Sequence, residues 1–113
     1  MRICKKNETK IFKNGNNCIA IEYPLGGEDM NGAVIKLDGR YPDKGCLINT
    51  QCKEMVYIMK GDGKIFIDGK EIILHVGDLI MIDPMNKYYW EGNMEMFVSC
   101  TPAWTPEQRE VIL

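Results

Sequence analysis

Apolar residues recur along this chain in short bursts rather than in long stripes. The bursts fall at 17–23 (NCIAIEY), 33–38 (AVIKLD), 54–59 (EMVYIM), 64–67 (KIFI), 71–74 (EIIL), 79–82 (LIMI) and 95–101 (EMFVSCT). They are rich in Ile, Val, Tyr and Phe, side chains that suit a pleated and half-buried surface, and Gly, Asp, Asn and Pro separate them. That pattern predicts an all-β sandwich or barrel. Between two of the bursts, Asp68-Gly69 tolerates the positive φ of a type I′ turn and predicts a tight hairpin. Gly61-Asp62-Gly63 and Val76-Gly77-Asp78 predict two further turns. Only the end reads as helical. Thr105 caps, Pro106 takes the first helical position and Gln108 follows three residues after the cap, which predicts a short C-terminal helix from Pro106 to Val111.

The alternation within 54–59 bears on assembly. Glu54, Val56 and Ile58 share one face while Met55, Tyr57 and Met59 share the other, so both faces are largely apolar; 79–82 is the same. A barrel strand needs only one buried face, so the outer one requires cover, either from the N-terminal strands or from a second subunit. A homodimer is the expectation.

A length of 113 residues fits one domain, and an apolar fraction of 45% allows a real core. The net charge of -2, with Lys5-Lys6 the one basic pair, argues against nucleic acid, which needs clustered cations. The opening MRICKKNETK has no apolar run of signal-peptide length, and no stretch is long enough to span a membrane, so a cytoplasmic location is expected. The cysteines at 4, 18, 46, 52 and 100 are odd in number and lack framework spacing, which reads as reduced thiols. Cys18 and Cys100 fall in strand patterns and are expected to be buried. Met55, Met59, Met81, Met85, Met94 and Met96 read as flexible core packing.

Two blocks carry the candidate chemistry. The first, GCLINTQCKEMVYIMKGDG from Gly45 to Gly63, places Glu54 seven residues before Gly61. The second, GDLIMIDPMNKYYW from Gly77 to Trp90, runs from Gly77-Asp78 to Asp83-Pro84 and on to Tyr88. Over about residues 39 to 101 this layout resembles the two motifs of the cupin superfamily, in its small single-domain form. The resemblance implies an antiparallel jelly-roll β-barrel, with N-terminal strands over 1–38, the barrel motifs over 39–101 and the helix after them. Cupins hold a metal with two histidines and a glutamate from the first motif and one histidine from the second. Here those positions read Leu47, Asn49, Glu54 and Tyr88.

Imidazole suits zinc, iron, nickel or copper, whereas leucine offers no donor, an amide oxygen binds weakly and a neutral phenol is poor. One carboxylate falls short of the three protein ligands usual in catalytic zinc sites, so no cofactor is expected. His75, beside the Val76-Gly77-Asp78 turn, reads as an exposed turn residue. On the resemblance, Asn49, Glu54 and Tyr88 converge at the barrel mouth, with Trp90 two residues beyond Tyr88 on the same strand face. Carboxylate, amide, phenol and indole around a cavity suit a sugar or a small polar acid. The leading expectation is therefore a metal-free, small-molecule-binding cupin. The alternative is an enzyme: a sugar isomerase or epimerase with Glu54 and Tyr88 as proton carriers, or a metal-dependent oxygenase with unusual ligands such as Glu54, Cys52 or Asn49. Burial would raise the Glu54 pKa toward neutrality and fit it for acid–base work. Cys46 and Cys52 flank the first motif, and a thiolate beside Glu54 is a third arrangement, although the spacing fits no standard metal motif.

Overall fold

The computed structural model describes Met1–Leu113 and consists almost entirely of antiparallel strands. In chain order these are β1 (Lys10–Gly15), β2 (Cys18–Glu22), β3 (Asn31–Tyr41), β4 (Cys46–Asn49), β5 (Lys53–Ile67), β6 (Lys70–His75), β7 (Leu79–Ile82), β8 (Tyr88–Thr101) and β9 (Arg109–Ile112). All belong to one curled sheet. The long strand β8 is its spine, flanked on one side by β3 and then β4 and on the other by β5, with β6 and β7 beyond β5. This is an antiparallel β-barrel with the cupin fold, as the motif layout implies. No helix is long and apolar enough to cross a membrane.

The pleat decides what lines the barrel. Along β8 the even-numbered residues Tyr88, Trp90, Met94, Met96, Val98 and Cys100 are buried. Their cross-strand partners on β5 include Glu54, Val56 and Ile58 at one end and Ile65 and Ile67 at the other. The inward set thus changes from even to odd along β5, which a period-2 strand does only if one residue drops out of the ladder. Met59 does so, in a bulge between Ile58 and Lys60. The bulge lets a single strand follow the curve of the barrel while keeping its apolar side chains inside.

The expected strands all form, and the Asp68-Gly69 hairpin is present, with φ of 47° and 81° and Ile67 paired with Lys70. Two local expectations are overturned. Gly61-Asp62-Gly63 is no turn; it lies within β5, which runs unbroken from Lys53 to Ile67 because β8 pairs with it along its length. The C-terminal helix is likewise absent. Pro106–Gln108 forms one 3-10 turn, Thr105 gives no side-chain cap, and Arg109–Ile112 continues as strand β9 against β4. Local capping signals lose here to an open strand edge and to Gln108, whose buried side chain accepts the Cys52 amide N–H at 2.9 Å instead of reaching back along a helix.

The outer face of the sheet carries a continuous apolar row. Cross-strand pairing sets Leu79 beside Tyr57, Tyr57 beside Phe97, Phe97 beside Val34, Val34 beside Ile21 and Ile21 beside Ile11. Tyr57 and Phe97 are 43% and 42% exposed, and Met55 and Met81 in the adjoining row are exposed too. Met94 and Met96 pack in the core as expected, whereas Met55, Met81 and Met85 do not.

Candidate functional site

The inward faces of β1, β2, β3, β4, β8 and β9, with Glu54 of β5 and the segment 23–30, line a cavity of about 720 Å³, within the range of small-molecule sites. Asn49, Glu54, Tyr88 and Trp90 all line it. Pairing explains the convergence. Tyr88 lies opposite Leu47 on β4, so Asn49 projects from the same face two residues on. Glu54 lies opposite Cys100, six inward positions along β8 from Tyr88. The curl of the sheet brings the two ends of β8 toward each other across the cavity.

Asn49 is the hub. The indole Nε1–H of Trp104 donates to its Oδ1 at 3.0 Å, and its Nδ2 donates to Glu54 Oε1 at 2.6 Å and to the Tyr88 hydroxyl at 3.2 Å. An indole N–H can only donate, so the amide oxygen must face Trp104 and the NH2 must face the carboxyl and the phenol. Trp104 is itself held through its main chain. Its N–H donates to Asn31 Oδ1 at 3.0 Å, and its carbonyl accepts from Asn31 Nδ2 at 3.1 Å. A chain of fixed groups from β3 through Trp104 to Asn49 thereby orients Glu54.

Burial raises the Glu54 pKa from 4.5 to about 7, the hydrogen bonds from Asn49 and Tyr88 opposing it only in part. Burial and the charge of Glu54 hold the Tyr88 phenol well above 10, so it stays protonated. Near neutral pH the site therefore pairs a carboxyl that readily gains or loses a proton with a phenol that keeps its own. Trp90 meets the Tyr88 ring edge-on, with centroids 6.1 Å apart, and walls the cavity below it.

The cupin metal positions do not fit a metal. Leu47 is buried hydrocarbon, the Asn49 oxygen is engaged by Trp104, and Tyr88 is a neutral phenol. His75 is exposed at its turn, as expected, away from these residues. The thiols are arranged differently from the sequence reading. Cys46 lies on β4 opposite Ile112, and the thiol that joins Cys52 and Glu54 is Cys100, the cross-strand partner of Glu54. The ligand atoms of Cys52, Glu54 and Cys100 lie within 4.8 Å of one another, the one group of this chain able to offer three donors to a thiophilic ion. Without an ion the two thiols hydrogen-bond each other, which leaves Cys52 the easier of the pair to ionise.

Among the cavity residues that the sequence reading missed, Trp104, Arg109 and Tyr41 bear most on the site. Trp104 lies just before the segment expected to be helical, and Arg109 lies within it. Their inward placement follows from strand β9 and from the loop that Asn31 ties down.

No protein-family model matches the chain, and no curated protein matches it in sequence. Solved structures do match in fold, among them one described as an RmlC-like cupin. A Streptomyces Pac13 variant solved with uridine superposes with a TM-score of 0.88 at 16% identity, over 98% of this chain and 90% of that one; Pac13 is described as a nucleoside dehydratase. An RmlC-like cupin from Shewanella frigidimarina gives a TM-score of 0.72 at 16% identity, over 88% of each chain. KdgF from a Halomonas species gives 0.71 at 12%, over 93% of this chain and 96% of that one.

Proposed function

We propose that the barrel binds a small polar molecule, a sugar, a nucleoside or a small acid, and that Glu54 exchanges a proton with it. The observation that carries this reading is the Glu54–Asn49–Tyr88 cluster, fixed from behind by Trp104 and lining an open cavity. A merely structural carboxyl has no need of a cavity in front of it or of an amide clamped in one orientation behind it. Glu54 would serve as general base when ionised and as general acid when protonated, with Tyr88 donating a hydrogen bond to an oxygen of the ligand. The uridine bound by Pac13 supports a ligand of sugar or nucleoside size for this barrel.

Screening sugars, nucleosides and small acids by thermal stabilisation should yield a ligand whose affinity is abolished by Glu54→Gln and by Tyr88→Phe. Circular dichroism should show both variants folded. Unchanged affinity in both would remove this cluster from the binding site.

We further propose that the outer apolar row from Leu79 to Ile11 pairs with its counterpart on a second copy of the chain. Such a row, crossing several strands and left in water, is more than the scattered surface apolar residues a monomer carries. Sedimentation equilibrium should find a dimer that Tyr57→Glu combined with Phe97→Glu converts to monomer. A wild-type monomer at micromolar concentration would end the idea.

A further inference from the structure

Two cations line the cavity, Lys10, exposed at its edge, and the half-buried Arg109, and no carboxylate of the chain pairs with Arg109. Its place follows from register. Asn49 pairs with Arg109 across β4 and β9, and directly paired residues of antiparallel strands project to the same face. The Arg109 side chain therefore projects to the same face as Asn49, from the neighbouring strand, and it lines the same cavity. It is half-buried. Every ion pair in the structure involves other residues: Lys36, Lys60, Lys64 and His75 with Glu71, Glu91, Glu95 and Asp78. Glu22 and Glu28, the other carboxylates around the opening, make no ion pair with Arg109. Its one side-chain partner is the Tyr41 hydroxyl, which accepts from Nη1. A guanidinium has five N–H donors, and a half-buried one with a single neutral partner retains both charge and donors to offer.

We propose that Arg109 is an anion subsite, and that the ligand carries a carboxylate or a phosphate alongside the group that reaches Glu54. This rests on the reading of the cavity given above and narrows it to anionic ligands. The geometry suits the role. Tyr41 accepts from Nη1, and the remaining side-chain N–H groups have no partner in the chain, donors of the kind that pair with an oxyanion. Arg109 is not among the groups that set the charge of Glu54, so an anion bound there leaves the proton carrier its own hydrogen bonds. Glu54 would then act at one end of a ligand whose charge is anchored at the other.

Calorimetric titrations with two probe pairs test this and separate the two sources of charge: uridine 5′-monophosphate against uridine, and glucuronate against glucose. The expected result is that the anionic member of one pair binds about 10- to 100-fold more tightly, the scale of a charge-assisted hydrogen bond. Arg109→Gln should erase that preference while the uncharged member binds as before, and Arg109→Lys should keep part of it. Tyr41→Phe removes the internal partner but not the cation, so it should retain the preference even if Arg109→Gln proves poorly folded. Equal affinity for both members of each pair, or a preference that survives in Arg109→Gln, overturns the anion subsite and leaves the cavity reading standing. If none of the four probes binds, the cavity reading falls and the subsite with it.

Discussion

Glu54→Gln is expected to abolish a loss of stability that the wild-type protein shows as the pH rises from about 4.5 to 7. In the unfolded chain this carboxyl titrates near 4.5; inside the barrel burial lifts it to about 7. Between those values the folded protein keeps a proton that the unfolded chain has already released. Raising the pH therefore favours unfolding across that window, and the effect levels off once the folded carboxyl has ionised too. About 2.5 pH units at about 1.4 kcal/mol each make the loss roughly 3 to 4 kcal/mol. Glutamine cannot ionise, and its amide oxygen can still accept from Asn49, so the variant should match the wild type near pH 4 and exceed it by about that amount at pH 8. Urea denaturation of both proteins at several pH values gives the difference directly, with every other titrating group cancelled. Parallel curves would mean that Glu54 ionises in the barrel as it does in water, and the acid–base role would lose its basis. The stability forfeited above pH 7 is the same free energy that keeps a proton on the carboxyl near neutrality, a trade expected at a working site rather than in a passive core.

How much of this was legible in the sequence depends on which forces placed each residue. Asn49, Glu54, Tyr88 and Trp90 could be found because strand period and motif spacing fix which face each side chain takes. Arg109 and Trp104 could not. The sequence from Thr105 to Gln108 carries a sound set of helix-start signals, each worth about 1 kcal/mol, and nothing local reveals that β4 has an edge for a C-terminal strand to fill. Pairing with that edge and burial of Gln108 decide the matter, and both are long-range. Cys100 was hidden in the same way. It is 46 residues from Glu54 in sequence and directly opposite it in the sheet. The Met59 bulge, too, leaves no composition signal, yet it reverses which residues of β5 face inward.

Gly61 shows the same lesson at one atom, and Gly61→Ala is expected to be the most damaging small substitution in the barrel. The Gly-Asp-Gly sequence looks like a turn, but Gly61 sits inside β5 with φ of 79°, opposite Met94. A β-carbon there would lie 1.9 Å from the carbonyl oxygen of Asn93 and 2.9 Å from its carbon. These are main-chain atoms of β8, the strand that carries Tyr88 and Trp90, so no side chain can swing aside to make room. Either β5 and β8 part, breaking ladder bonds on both sides of the bulge, or the chain abandons that conformation. The expected loss is about 4 kcal/mol or more, in the range reserved for severe core disruption, and a fall in melting temperature of roughly 15–30 °C. Gly69→Ala is the control. Its φ is 81°, almost the same, but nothing lies within 4 Å of the added carbon, so it should cost only the conformational penalty of about 1–2 kcal/mol. If the two variants melt at the same temperature, the approach of β5 to β8 is looser than this geometry requires. A much lower value for Gly61→Ala would establish that this glycine serves the close contact of β5 with β8.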